Sequence, residues 1–238
     1  MFSPFRDIRD LFFPPMCPAC GAAMEGGEGF LCTACQWAMP LTGFEEMADN
    51  PVARRFWGLV PIRNATAFIW FTDNSGFRRV VHSFKYGGRW ALARDMGRWF
   101  GRVLADTDAY AGVDAIVPVP LHPLKFLSRG YNQSEYIARG MALSMGVRVE
   151  TRAVARRVNH PSQTRTTTHG ERWENVEGIF TVRRPERLAG RHILLVDDVL
   201  TTGATLGSCA EEIARTVPDC NISIATLYAS KKGLGIKE

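Results

Sequence analysis

The sequence has no long hydrophobic run. Nothing in it approaches the roughly eighteen consecutive apolar residues that a membrane-spanning helix needs, and the opening MFSPFRDIRDLFFPP lacks the extended apolar centre of a secretory signal. These absences exclude membrane insertion and predict a cytoplasmic protein whose thiols stay reduced. No internal repeat or low-complexity tract is evident, and the Gly-Lys-Ser/Thr arrangement of a Walker phosphate loop is missing. Neither a Ser-His-Asp nor a Cys-His set suited to nucleophilic catalysis stands out. Lysine is scarce: of 29 basic residues only Lys85, Lys125, Lys231, Lys232 and Lys237 are lysines, so cationic recognition rests on arginine, whose planar fork suits phosphate.

The 238 residues, 46% of them hydrophobic, suffice for one medium domain plus a small appendage. The formal charge of +5 favours anionic partners. Between Arg148 and Arg191 ten Arg face five Glu, so the positive charge is concentrated there.

Four of the six cysteines, Cys17, Cys20, Cys32 and Cys35, fall in MCPACGAAMEGGEGFLCTACQ as two C-x2-C pairs separated by eleven residues. Each pair forms a tight turn that aims two thiolates at one tetrahedral Zn²⁺. Two disulfides are the alternative, disfavoured in a chain without an export signal. Four thiolates leave no open coordination position, so the metal is structural.

Residues 1–42 are thus expected as a zinc ribbon, 43–60 as a linker, and 61–238 as the main domain. In the latter, Ala65–Phe71 reads as a strand and Ser75–Tyr86 and Trp90–Leu104 as helices. From Asp114 the pattern alternates. The run from Asp114 to Pro120 is a buried strand entering a proline-stiffened loop, and Tyr131–Met145 is a helix. Short strands follow near Arg148–Glu150 and Gly178–Val182, then a central strand at His192–Val196, a helix at Thr205–Thr216 and a last strand at Ile222–Tyr228. Apolar strands separated by helices predict an α/β fold with a parallel sheet covered on both faces.

In such a sheet, ligands bind beyond the carboxyl ends of the strands. Asp197 and Asp198 fall there, followed by Thr201, Thr202, Gly203, Ala204 and Thr205 leading into a helix N-terminus. Backbone N–H groups, the helix dipole and threonine hydroxyls make an anion site, and Gly203 lets the backbone come close. The carboxylates face the polyol beside that anion, directly or through Mg²⁺. Phosphate next to a diol describes a ribose 5-phosphate.

The stretch ILLVDDVLTTGAT closely resembles the phosphoribosyl-pyrophosphate (PRPP) signature of type I phosphoribosyltransferases. With VPVPLHPLKFLSRGYNQSEYIA (Val117–Ala138), HSFKYGGR (His82–Arg89), the basic loop and the cysteine pairs, the chain resembles the ComF family of competence-associated, phosphoribosyltransferase-like proteins over nearly its whole length. The resemblance implies that Pro118, Val119, Pro120, Leu121 and His122 form the loop holding pyrophosphate. Arg129, Asn132 and Gln133 match an R-G-x-N-Q motif, Arg156, Arg157 and Asn159 an R-x-N loop, and Lys85 and Tyr86 a K-Y motif. From the residues themselves, Arg129 can equally cap a helix or pair with Glu135, Lys85 can be an exposed helix end, and His122 can bond the turn or the ligand. Cys209 reads as a core residue. The polar segment Val158–Val176 reads as a lid or as disorder, and its Arg165, Arg172 and Trp173 can serve pyrophosphate or a nucleic-acid strand equally well.

The implied chemistry is displacement of Mg²⁺-pyrophosphate from the anomeric carbon by a nitrogen nucleophile. Asp197 and Asp198 steady the ribose, and arginines including Arg156 and Arg157 neutralise the leaving group. Three expectations follow: a PRPP-binding protein of natural transformation that handles single-stranded DNA beside other DNA-uptake proteins, a true phosphoribosyltransferase acting on a base or amine, or a PRPP-sensing regulator.

Overall fold

The computed structural model describes residues 13–24, 29–71, 76–157 and 178–236. The expected lid segment, with Asn159, Arg165, Arg172 and Trp173, lies outside them. In chain order come helices α1 (Thr33–Trp37) and α2 (Pro51–Arg54), strand β1 (Ala65–Phe71), helices α3 (Gly76–Tyr86) and α4 (Trp90–Ala105), strand β2 (Ala115–Pro118), helices α5 (Pro123–Arg129) and α6 (Gln133–Met145), and strands β3 (Arg148–Val149), β4 (Val154–Arg156) and β5 (Phe180–Val182). Strand β6 (His192–Leu200), helix α7 (Ala204–Thr216) and strand β7 (Asn221–Ser230) complete the fold.

Five strands form a parallel sheet in the order β1-β7-β6-β2-β3, while β4 and β5 make a separate antiparallel pair. Along β6 successive side chains enter opposite apolar layers. Leu194 and Val196 join one layer with α3, α4 and α6, whereas Ile193 and Leu195 join the other with α7. Burial on both faces is what an unbroken Ile-Leu-Leu-Val run requires. Helices α4 and α6 approach closely: a Cβ at Gly140 of α6 would overlap the Arg94 carbonyl oxygen of α4.

Two differences from the sequence expectation bear on the site and the core. Strand β6 does not stop at Val196 but runs to Leu200, pairing Asp197 with Thr226, Val199 with Tyr228 and Leu200 with Ala229. The neighbouring β7 is ten residues long and offers ladder partners past the acids, so the strand continues through them. The segment 43–60, expected as a linker, buries Phe44, Val52, Ala53, Phe56 and Val60 in the layer that α7 also joins. Asn50, 1% exposed, organises it. Its Oδ1 accepts the N–H groups of Val52 and Ala53 at 2.9 and 3.0 Å, capping α2, while Nδ2 donates to the carbonyls of Met47 and Ala65. The cysteine-rich segment likewise packs on the main sheet layer, where Cys17, Ala19, Leu31, Cys32 and Met39 share a cluster with Phe68, Phe77 and Phe100.

Candidate functional site

The connection leaving β2 leads to β3 on one side of the sheet, and that leaving β6 leads to β7 on the other. The carboxyl ends of β2 and β6 therefore flank a topological switch point, the place where open α/β sheets form a crevice. A cavity of about 270 Å³ opens there, lined by both acids, by Val119, Pro120 and Leu121, and by Asn132, Gln133, Ser134, Thr201 and Thr205. Four cations, Lys85, Lys125, Arg129 and Arg156, face the same space, so basic groups outnumber the two carboxylates. Beside it a recess of about 30 Å³ is formed by the loop Thr201–Leu206.

The two acids have different partners. Asp198 is ion-paired with Lys85, Oδ2 to Nζ at 2.8 Å, both largely shielded at 14% and 20% exposure. Lys85 is thus not a solvated helix end. Asp197 Oδ1 accepts the Ser134 hydroxyl at 2.8 Å and the Asp198 backbone N–H at 2.8 Å. Burial pushes the Asp197 carboxyl up to about 6. The neighbouring Asp198 charge adds to the rise, while the Ser134 hydroxyl, the Asp198 N–H and Lys85 hold it down. Arg156 stacks 5.5 Å over the Phe180 ring, and its pKa is lowered by burial and partly restored by the Asp197 charge. Cys209 is fully buried. Burial and then the Asp197 charge raise its thiol pKa, which fits an inert core residue.

The loop after the acids is fixed from outside. Gly203 has φ +81°, a left-handed conformation, and a Cβ there would meet Arg55 Cγ at 3.0 Å and the Phe56 ring at 3.5 Å. Arg55 donates through Nε to the Thr202 carbonyl, and Gly233 packs so closely on Thr201 that a Cβ would overlap its carbonyl. Asn132 caps α6 by accepting the Ser134 N–H at 3.2 Å and donates at 2.9 Å to the Val119 carbonyl, tying the proline turn to the helix.

Most of the residues singled out in the sequence converge here. Thr202, Gly203 and Ala204 line the small recess with Thr201 and Thr205. Arg129 donates to Gln133 Oε1 at 3.0 Å and to the Tyr86 hydroxyl at 3.3 Å, and Glu135 is paired instead with Arg139. Three residues do not join the described lining. Pro118 is buried at the end of β2. The His122 Nδ1 accepts the Leu124 N–H at 3.2 Å, capping α5, and Arg157 is exposed and donates to Thr181 Oγ1 at 3.3 Å. Sequence reasoning missed Ser134, Lys125, Arg55 and Gly233. Lys125 alone had a signal, as one of five lysines. The others are specified only by the tertiary fold.

The four thiols of Cys17, Cys20, Cys32 and Cys35 have all their sulfur atoms within 4.8 Å of one another. Tetrahedral Zn²⁺ with bonds of about 2.3 Å places sulfurs roughly 3.8 Å apart, so the cluster fits that ion. The Cys20 and Cys32 sulfurs are 3.6 Å apart. The Cys32 N–H donates to Cys17 Sγ and the Ala22 N–H to Cys20 Sγ, each at 3.4 Å, as expected where thiolates must be stabilised.

Among protein families, a profile described as a double zinc ribbon domain matches residues 8–44, and one described as a phosphoribosyl transferase domain matches residues 132–237. Competence protein F of Haemophilus influenzae is 26% identical over 136 residues, 56% of this chain and 59% of that protein. DNA utilization protein YhgH of Escherichia coli (strain K12) is 27% identical over 143 residues, 57% of this chain and 60% of that one. The chain belongs to the ComF family. It therefore combines a phosphoribosyltransferase-type parallel sheet with an N-terminal zinc ribbon, and the match spans about 60% of the length of these ComF-family relatives. Solved structures with looser likeness include glutamine PRPP amidotransferase of B. subtilis, with TM-score 0.41, 14% identity, 60% of this chain and 30% of that chain. Adenine phosphoribosyltransferase of Saccharomyces cerevisiae gives TM-score 0.35 and 18% identity over 61% of this chain and 71% of that one.

Proposed function

We propose that the cavity at the β2–β6 switch point binds the phosphoribosyl group of PRPP, and that the protein acts in the handling of imported single-stranded DNA during natural transformation. The observation that carries this reading is the meeting, in one cavity, of an acid pair, a small hydroxyl-rich loop and four cations. In it the 5-phosphate occupies the Thr201–Thr205 loop, Asp197 and Asp198 accept from the ribose hydroxyls, and pyrophosphate lies toward Val119–Leu121, Lys125 and Arg129. The surplus of cations favours a polyanion over a neutral sugar. Residues 1–42 serve as the zinc-ribbon unit and 61–238 as the phosphoribosyltransferase-like domain of a cytoplasmic protein, joined by 43–60, which is itself packed into the core of the latter. Among the described residues no helix is long and apolar enough to cross a membrane. The role in DNA handling, beside other DNA-uptake proteins, is drawn from the names of the relatives and from the Arg-rich composition.

Two adjacent carboxylates supply the hard oxygen donors that Mg²⁺ takes, so Asp197 and Asp198 fit an ion carried in with pyrophosphate. When bound, Mg²⁺ supplies charge neutralisation to the leaving group. The chain's own residues orient the ribose through the two acids, anchor the phosphate in the loop, and offer Arg156 and Arg129 to developing negative charge.

A second reading, a phosphoribosyltransferase that turns over on a base or amine, is favoured by the presence of both acids with cations around them. The test is calorimetric titration of PRPP with Mg²⁺ into the zinc-loaded protein, then pyrophosphate release with and without nucleobases and single-stranded DNA. The Asp197→Ala/Asp198→Ala variant is the control. Binding lost in that variant is the expected result, and absence of binding to the wild type refutes the pocket assignment. Acceptor-dependent release would establish the enzyme, and binding without release would point to a sensor or DNA-handling scaffold.

A further inference from the structure

Helix α3 touches the cysteine knuckle at one end and the acid pair at the other. At its start, Arg79 donates through both Nε, at 3.1 Å, and Nη2 to the carbonyl of Ala19, which lies between Cys17 and Cys20 in the first knuckle. Gly76 lies so close that a Cβ there would overlap the same carbonyl oxygen. At its end, Lys85 holds Asp198 at 2.8 Å, the Phe84 carbonyl accepts the Tyr131 hydroxyl, and the Tyr86 ring lies 5.0 Å beneath the Arg129 guanidinium. Nine residues of helix, roughly 14 Å, separate Gly76 from Lys85.

We propose that zinc ligation and occupancy of the phosphoribosyl cavity are thermodynamically coupled through α3, with Arg79 as the positioning residue that sets Lys85 against Asp198. The proposal rests on reading the cavity as a PRPP site.

Between its ends α3 is held to the sheet by Phe77, Val80, Val81 and Phe84. Apolar packing of that kind is non-directional and does not by itself fix where the helix stands along its axis. The two-pronged donation of Arg79 to one carbonyl does fix it, provided that carbonyl points in one direction. Its direction is set by the knuckle turn, in which the Gly21 N–H donates to the Cys17 carbonyl and the Cys17 N–H to the Ala22 carbonyl, each at 2.8 Å. Four thiolates drawn to one ion hold that turn closed, and without the ion that cross-link is absent. At the far end a polyanionic ligand competes with Asp198 for Lys85, so the placement of Lys85 enters the binding free energy. Lys85 on Asp198 and Lys85 on the ligand are two discrete arrangements, the kind of element through which two sites bias each other. Linkage then requires reciprocity: if zinc raises PRPP affinity, PRPP raises zinc affinity by the same factor.

The experiment is equilibrium competition for zinc between the full-length protein and a chromophoric chelator, with and without saturating PRPP and excess Mg²⁺. The Asp197→Ala/Asp198→Ala variant corrects for zinc held by PRPP itself. PRPP is expected to tighten zinc binding by about 5-fold or more in the wild type. Arg79→Lys keeps the charge but loses the two-pronged donation, and is expected to retain zinc and fold while the PRPP effect on zinc shrinks toward none. Unchanged zinc affinity in a wild type that calorimetry shows to bind PRPP overturns the coupling. A variant that couples as strongly as the wild type overturns the assignment to Arg79. If the wild type does not bind PRPP, the functional reading of the cavity falls instead, which is a distinguishable result.

Discussion

Replacing Ser134 with alanine tests the electrostatics of the acid pair with little disturbance to packing. The Ser134 hydroxyl is buried and gives Asp197 Oδ1 one of its two hydrogen bonds, the other coming from the Asp198 N–H. A hydrogen bond to a charged group contributes about 1.5–3 kcal/mol, and one pKa unit corresponds to about 1.36 kcal/mol. Because the cavity is open to solvent, the lower end applies, so the Asp197 carboxyl should rise by roughly one unit from its value of about 6. A carboxyl whose folded-state pKa is raised keeps its proton longer in the folded state. Its stabilising contribution is present at low pH and is lost as pH climbs from the ordinary carboxylate range through about 6. In Ser134→Ala that loss extends to roughly pH 7. PRPP affinity should move the opposite way, rising with pH as the carboxylate forms to accept ribose hydroxyls and levelling off about one unit later in the variant. Calorimetric affinities measured from about pH 5 to about pH 8 give both profiles, and phosphate titration of the ligand, common to both proteins, cancels in the difference. Superimposable profiles, or a shift to lower pH in the variant, would refute this account of how Asp197 is held.

Gly203→Ala should destabilise the protein by about 1–2 kcal/mol and weaken PRPP binding, because the residue must keep a left-handed φ of 81° with Arg55 and Phe56 against the new methyl; denaturant unfolding and calorimetry read the two effects. Gly140→Ala should cost about 1–3 kcal/mol or more by forcing α4 away from α6, lowering the unfolding midpoint without a matching change in zinc content. Stripping zinc with a chelator, or replacing Cys20 with alanine, should lower the thermal midpoint of the whole chain rather than release an independent ribbon, since Cys17, Leu31, Cys32 and Met39 belong to the same apolar layer as Phe68 and Phe100. Two separate melting transitions would contradict that.

Elements with a strong local pattern were legible in the sequence. Ala65–Phe71 is the strand its aromatic and β-branched residues predict, and the helices beginning at Trp90 and ending at Met145 match their periodicity. The cysteine spacing led to four sulfurs in one cluster, and the DDVLTTGAT stretch to the cavity at the switch point. What was not legible depends on partners distant in sequence. Strand β6 extends through Asp197 and Asp198 only because β7 is long enough to pair with Asp197, Val199 and Leu200. Residues 43–60 look like a linker because Asn50 and its neighbours are polar or small, yet the Asn50 side chain reaches the Ala65 carbonyl and turns the segment into part of the core. The contacts of Ser134 with Asp197 and of Arg55 with Thr202 span 63 and 147 residues, beyond the reach of any local pattern.

The extension of β6 bears on what the acid pair can do. Adjacent residues on a strand send their side chains in diverging directions, so two acids placed in the strand, rather than in a loose turn after it, take different partners. Asp198 meets Lys85 of α3 on one side, while Asp197 meets Ser134 of α6 and the charge of Arg156 on β4. One carboxylate is therefore neutralised by a lysine that an anion can draw away, and the other is kept by burial near the pH at which it exchanges a proton. A ligand that is anionic at one end and rich in hydroxyls at the other uses both features at once. Its anion takes Lys85, which frees Asp198 to accept from a hydroxyl, while Asp197 accepts from the neighbouring one once ionised. A purely anionic ligand would leave two carboxylates facing it, and a neutral sugar would leave Lys85 where it is. On the proposed reading of the cavity, the asymmetry of the pair would select for the combination of phosphate and diol more strongly than either acid alone.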